Sequence, residues 1–543
     1  MKSSAPPAPR DTRLIELWSL REDTTVETAT DDPGTGLIST RWGEIRLPMT
    51  DPVIPRALER MTYGPVSLDN VLPGFSDTRS LPGDPRRAAL RSTLEAVRHS
   101  VIRTLALADG TEQLSVVPIV REARFAPRPP APDRVHRLSR FAALRVGPRD
   151  MVLESPLSAH RVLLHTPQAM WLVSCYVRPA SVRDTARLLD VPLDVARTAV
   201  GYLEASGMLV PALRAESSRK GPTSGTRPRS GGPTGVPGAD PGPATGTGLP
   251  SGPGSFALYG PWGLGRYAPA FAEDHDPVLE HWSPRELMLH NRSRPGLHDE
   301  PIGLGLGSAE APKDAREHPD SDATPLALPV PDLELVLTRD PQLTTVLESR
   351  RSVRQDGGLP LSLAQLGELL YRAARARPAA GRPYPSAGSV YPLELYVTVA
   401  GSAELARGCY HYDPAAHTLF PLRTEPVLVD ALLDEAGVNA GLSEEPPVLI
   451  SMTARFRRMS SAFPGIAYSV LLKEVGALQQ TLYLVSTAMG IGPCALAFGD
   501  TATSARAFRL DWRAESGVGE FVLAAVPTGA VSAESGGPAT RRP

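Results

Sequence analysis

Lysine is nearly missing from this 543-residue chain: of 57 basic residues, only Lys2, Lys220, Lys313 and Lys473 are lysines, and the rest are arginine. That bias reads as genomic composition rather than function, and it makes the placement of Lys473 informative. Cysteine is as scarce. Cys175, Cys409 and Cys494 are widely spaced with no CxxC pair, which argues against a disulfide framework or a structural zinc site and fits a reducing cytoplasm. No segment reaches the roughly 18 uninterrupted apolar residues of a membrane span. The polar, proline-rich start MKSSAPPAPRDTR has no apolar signal-peptide core. Neither sign of charge is in excess, since 59 acidic residues leave a formal net charge of -2 and a pI near 6.6. Bulk electrostatics therefore offer no attraction to nucleic acid or to an anionic membrane, and neither is expected as a partner.

The length suggests two to four domains at about 100–200 residues each. Residues 216–256 are dominated by Gly, Pro, Ser and Thr and read as a flexible linker, because such a composition cannot bury enough apolar surface to fold. A shorter polar stretch at 307–324 lies within a bridging segment, 257–325, ahead of a C-terminal domain at 326–535; residues 536–543 read as a disordered tail. Residues 1–150 are the least legible and are expected to form an α/β region, with a strand near Leu114–Val120. Residues 151–215 are more readable. An apolar run Ala169–Val177, then VRDTARLL opened by Ser181, then LDVARTAVGYLEASG opened by Pro192, then Met208–Val210 predict three short helices and a strand, which is the arrangement of a winged helix. Ser181 and Asp184 have capping-box spacing, and Gly207 stands where a helix C-cap is wanted. The third helix offers Arg197 as its lone cation, too few for a major-groove reader, so contact with a peptide leader or another domain, or a purely structural role, is favoured over DNA.

The C-terminal region alternates strand-like runs at 393–400, 446–454 and 519–527 with helical patterns, which predicts an α+β or α/β domain. Residues 466–490 form a helical pattern apolar on nearly every face and are expected to be central. Three segments carry the chemistry: Ser349-Arg350-Arg351-Ser352-Val353-Arg354; Tyr384-Pro385-Ser386-Ala387-Gly388-Ser389-Val390-Tyr391-Pro392-Leu393-Glu394; and GIAYSVLLKEVGALQQTLYLVSTAMGIGPCALAFGD at 465–500. Arginines and a serine can clamp a phosphate through bidentate and hydroxyl hydrogen bonds. Small residues let the backbone approach a flat ring.

In this order, these motifs resemble the nitroreductase-like flavoproteins, and within them the SagB-type dehydrogenases of thiazole/oxazole-modified peptide biosynthesis. The resemblance implies an FMN cofactor and assigns its contacts to Arg350, Arg351, Ser352 and Arg354, then Pro385, Ser386, Ala387 and Gly388, then Gln480, Ala495, Leu496 and Ala497. The last three lie in a Gly-rich loop whose amides would tune the flavin. Cys494 reads as a small buried residue there. The resemblance also implies a homodimer that builds its flavin site from two subunits, a modified precursor peptide as substrate, oxygen as terminal acceptor, and a cyclodehydratase or other peptide-modifying enzyme as partner. The implied reaction oxidises azolines to azoles. A reductase acting on another peptide or small molecule, or a catalytically degenerate scaffold, are the alternatives.

The family pattern breaks at one point. Azoline oxidation needs a base besides the flavin, and where SagB-type enzymes commonly carry Lys-Tyr this chain has Ala462-Phe463. Tyr468, Tyr391, Lys473 and Glu394 are the candidates to replace it. Lys473 on an apolar helix is expected to be buried and partnered, by Glu394 or Glu474 if its role is structural.

Overall fold

The computed structural model describes residues 13–76, 84–213, 269–300, 324–354, 361–378 and 381–525. The expected linker at 216–256, most of the polar stretch at 307–324 and the tail at 536–543 lie outside these. The chain divides into two compact units at Met288/Leu289. Among the described residues no helix is long and apolar enough to cross a membrane.

The first unit is built on a six-stranded sheet in the spatial order Leu14–Leu20, Val101–Leu107, Glu112–Pro118, His160–Leu164, Met151–Glu154, Ala143–Val146. Each neighbouring pair is antiparallel, so among the described residues this sheet has none of the parallel crossovers expected of an α/β region. The sheet also runs past the expected boundary at residue 150, because a hairpin returns 151–164 to it. The predicted three helices are Pro167–Ser174, Val182–Leu188 and Leu193–Ala205, followed by the strand Leu209–Pro211. Ser181 caps the second helix by accepting the Asp184 N–H at 3.1 Å. Gly207 takes the left-handed conformation, φ 73°, that a helix C-terminus favours. Val200 and Leu203 of the third helix are fully buried in a core shared with Leu114, Val162 and Leu164 of the sheet.

The second unit carries a seven-stranded antiparallel sheet in the order Leu326–Ala327, Thr418–Pro421, Gly408–Asp413, Leu393–Val399, Val448–Arg455, Glu515–Ala525, Ile491–Leu496. Strand period two sends alternate residues to opposite faces. Leu393, Leu395, Val397 and Val399 pack with helices Leu363–Ala374 and Ala467–Ala488. Tyr396 packs on the other face with helix Pro426–Ala440 and stacks on Phe508 at 4.2 Å. Glu394, two residues before Tyr396, shares that second face. The helix holding Lys473 and the strand residue Glu394 thus lie on opposite sides of the sheet.

Candidate functional site

The helix Ala467–Ala488 sorts the candidate residues. Leu471, Val475, Leu478 and Leu482 form its buried apolar line, at the spacing of one helical face. Glu474 stands three residues after Leu471 and four before Leu478, hence on the same face; Tyr483 follows Leu482. Both are buried, 4% and 8% exposed. Lys473, one residue and about 100° away around the helix, is exposed, and so are Gly476 and Gln480. The helix is therefore not buried on every side. Tyr468 and Leu472 complete an exposed stripe, at 48% and 42%.

Two sets of expected cofactor residues meet at Tyr483. Its hydroxyl accepts the Ala495 N–H at 2.8 Å and shares a 2.7 Å hydrogen bond with the Ser352 hydroxyl. The Arg350 guanidinium lies 5.1 Å from the centre of its ring, and the Val353 N–H donates to the Pro493 carbonyl at 2.8 Å. The segment 350–354 is thereby stitched to the edge strand Ile491–Leu496. Arg351 and Arg354 are exposed, and Arg350 is half-buried. Among the described residues no carboxylate pairs with any of the three, a contrast with Arg372, Arg407 and Arg455, each of which holds carboxylates. Three unneutralised guanidiniums within five residues form a cradle for an anion. One expectation is corrected: Ala495 and Leu496 belong to a strand rather than a tight loop, and the Ala495 amide is already taken by Tyr483. Ala497 is exposed just past the strand, and Cys494 is buried as expected.

The remaining set gathers at Glu474. Its Oε1 accepts from the Ser386 hydroxyl at 2.9 Å and from the Ala387 N–H at 2.8 Å, and the Tyr391 N–H donates to the Ser386 oxygen at 2.9 Å. Pro385 is exposed. Gly388, Ser389 and Tyr391 all adopt positive φ, at 58°, 56° and 49°, a conformation costly for the latter two that such sites tolerate when the surroundings fix it. A Cβ on Gly388 would lie 3.4 Å from Cζ of the Phe463 ring. Burial raises the Glu474 carboxyl above the usual range, opposed by the Ala387 and Ser386 hydrogen bonds and by Arg382. Burial also pushes the neighbouring Tyr384 phenol up to about 12.

Glu394 is differently placed. Burial opposes its ionisation, but the His411 hydrogen bond at 3.2 Å and the Arg455 guanidinium at 3.2 Å hold its carboxyl down to about 2, with Arg458 at 3.6 Å. A carboxylate so tightly compensated binds protons poorly. Pairing of Lys473 with Glu394 or Glu474 does not occur, since Lys473 faces outward and Glu394 lies across the sheet.

The expected cofactor residues thus fall into two groups, one at Tyr483 and one at Glu474. Tyr483 and Glu474 are nine residues apart, about 13.5 Å along the helix axis and half a turn around it, so the Arg350–Arg354 segment and the Ser386–Gly388 loop meet the helix at different levels and on opposite sides. Tyr483 did not stand out in the sequence, and Glu474 did so only as a possible partner for Lys473. The available signal was position, since polar residues on the buried line of an apolar helix require partners. Among the described residues there is no group of three or more His, Cys, Asp or Glu able to hold a metal ion.

Comparison with known proteins adds the following. A family model described as Nitroreductase family matches residues 347–529, and one described as Cyanobactin oxidase ThcOx matches residues 136–220. A Methanocaldococcus jannaschii protein named as a nitroreductase is 30% identical over 168 residues, which span 31% of this chain and 81% of that protein. Among solved structures, the Escherichia coli microcin synthetase McbBCD complex with truncated pro-MccB17 aligns at 21% identity and TM-score 0.29, covering 32% of this chain and 70% of the other. A Desulfovibrio desulfuricans protein described as a nitroreductase in complex with FMN aligns at 16% identity and TM-score 0.25, covering 38% and 98%.

Proposed function

The chain belongs to the nitroreductase family, and from that premise we propose that its C-terminal unit is an FMN-dependent dehydrogenase that oxidises azolines to azoles in a ribosomally made peptide. The observation that carries the cofactor assignment is the cradle at Arg350, Ser352 and Arg354, cationic, unpaired among the described residues and fixed to Tyr483. Those residues fit an FMN phosphate. Arg351, exposed beside them, adds charge, and the Ser386–Gly388 loop offers small residues to a flat ring. FMN when bound supplies the hydride acceptor. The chain's own residues hold it, exclude water at the buried Tyr483 and Glu474, and handle the proton.

The separation of these two groups of residues supports a homodimer in which the loop of one subunit completes the cradle of the other. The exposed stripe Tyr468, Leu472, Gly476 and Gln480 supports the same reading, as do the exposed side chains of Leu335 and Leu337, 59% and 81% accessible. The peptide substrate rests on the resemblance of the motifs and on the match of residues 136–220 to the cyanobactin oxidase model. The winged-helix-like module is then the leader or partner contact, with a cyclodehydratase as the natural neighbour. DNA is disfavoured because the cation of helix Leu193–Ala205, Arg197, is bonded to the Pro130 carbonyl at 2.8 Å.

The test is incubation of the purified full chain with an azoline-bearing peptide, read by mass spectrometry as loss of two hydrogens per ring. Rapid consumption of a reduced nicotinamide without peptide oxidation supports the reductase alternative. Absence of bound flavin in protein purified and supplied with FMN supports the scaffold. For the dimer, heterodimers isolated from a subunit defective at Arg350 and a subunit whose loop is blocked by Gly388→Val should bind flavin in one of their two sites, where neither homodimer binds it.

A further inference from the structure

Ala462 and Phe463 cannot move a proton, and the sequence offers four replacements. The structure removes three: Glu394 is held ionised by Arg455, Arg458 and His411, Lys473 is exposed, and Tyr468 is half exposed with its ring 6.3 Å from Phe456. Tyr391 contributes its backbone N–H to Ser386. That bond leads to a different group. We propose that Ser386 and Glu474 form a proton relay that takes the place of the absent base, a reading that rests on the dehydrogenase function above.

Three observations carry it. The Phe463 ring and the Glu474 carboxylate meet the same loop: Phe463 Cζ is 3.4 Å from the Cβ position of Gly388, and Glu474 Oε1 accepts from Ser386 and Ala387. The relay therefore lies where the missing pair would act. Ser386 is half-buried at the surface of the loop while Glu474 is enclosed behind it, so the hydroxyl connects a ligand seated on the loop to the carboxylate. Finally, Glu474 Oε2 is buried without a hydrogen-bond partner among the described residues. A carboxylate left half-satisfied in the interior holds a proton more readily than one fully compensated. The charged and titratable groups that face it are Arg382 and Tyr384 of the same loop region, and neither forms an ion pair with it. Burial raises its proton affinity above that of an exposed glutamate, which makes it the better proton acceptor.

In the relay, a C–H proton of the azoline ring passes to the Ser386 oxygen as the Ser386 hydroxyl proton passes to Glu474 Oε1. The electron pair of the broken C–H bond becomes the new ring double bond. A bound oxidised flavin would supply the two-electron oxidant that takes up the hydride of the adjacent carbon. The Tyr391 N–H steadies the serine oxygen throughout.

Two variants test this on the full chain loaded with FMN. Glu474→Gln keeps an Oε1 acceptor for Ser386 and Ala387, so the loop stays in place, but it cannot accept a proton; azoline oxidation should fall by about a hundredfold or more while the bound-flavin spectrum is retained. Ser386→Ala should lose turnover to a similar degree, which keeps the test decisive if the first variant folds poorly. In the wild type, turnover should rise with pH through an ionisation above the ordinary glutamate range. Infrared titration should show the matching protonated carboxyl band in the wild-type minus Glu474→Gln difference, apart from the band of Glu520 that both proteins share. Wild-type turnover in either variant, or a carboxyl band unchanged in Glu474→Gln, overturns the relay. A wild-type protein that binds FMN yet oxidises no azoline peptide overturns the functional reading instead, and the infrared titration then decides the proton-holding role of Glu474 by itself.

Discussion

Replacing Glu394 with glutamine separates a structural carboxylate from a chemical one. In the native protein this buried side chain faces Arg455 at 3.2 Å, Arg458 at 3.6 Å and His411 at 3.2 Å. Its carboxyl is lowered from 4.5 to about 2, a difference of roughly 3 kcal/mol at 1.36 kcal/mol per pH unit. Because the folded value is the lower one, that stabilisation is fully present above about pH 4.5 and is lost as pH falls toward 2. Glu394→Gln removes it at pH 7 and takes a carboxylate away from Arg455 and Arg458. Breaking a buried pair from one side typically costs about 3–5 kcal/mol, and the contact that Arg455 keeps with Glu515 at 3.3 Å points to the lower end. Amide exchange of the strands Leu393–Val399 and Val448–Arg455 reports the loss directly. About 3 kcal/mol corresponds to exchange roughly a hundredfold faster where these amides open only by unfolding of the unit. Denaturant unfolding of the wild type should weaken between pH 4.5 and 2, and the variant should show little of that dependence. An equally protected variant that has lost all turnover would refute the structural assignment and make Glu394 a reacting group.

Other substitutions probe the remaining joints. Tyr483→Phe leaves the Ala495 N–H without its acceptor and releases Ser352; the expected loss is about 1–3 kcal/mol of stability, with FMN affinity in equilibrium titration weakened about tenfold, or 1.4 kcal/mol. Glu520 is raised to about 7 by burial and by the Glu435 charge, so its contribution is present below the unfolded value of 4.5 and disappears as pH rises through 7. Glu520→Gln should melt higher than the wild type at pH 8 by the equivalent of about 3 kcal/mol, and at pH 4 the two should converge. Gly201→Ala places a Cβ 2.6 Å from the Arg128 carbonyl oxygen. The backbone at 128–129 must shift, lowering the stability of the first unit by about 1–3 kcal/mol in thermal unfolding without changing flavin binding.

Much of the local architecture was legible because its causes are local. The helix at 467–488 follows from its apolar periodicity, the Ser181 cap from a spacing of three residues, and the strand at 393–399 from its β-branched and aromatic run. The N-terminal region was not legible in the same way. Its hairpin at 151–164 joins a sheet that begins at Leu14, and such pairing is decided by partners far away in sequence.

The sequence by itself determined the order of the motifs and the class of cofactor chemistry they suggest, and it puts Ala462-Phe463, neither able to move a proton, where the resemblance implies a base. Tertiary structure decided which polar groups meet. Ser352 finds Tyr483 across 131 residues, and Ser386 finds Glu474 across 88. The physical reason is that burial on one side of a helix is set by what packs there. Lys473 and Glu474 are neighbours in the chain, yet a rotation of about 100° leaves one in solvent and encloses the other with an unsatisfied oxygen.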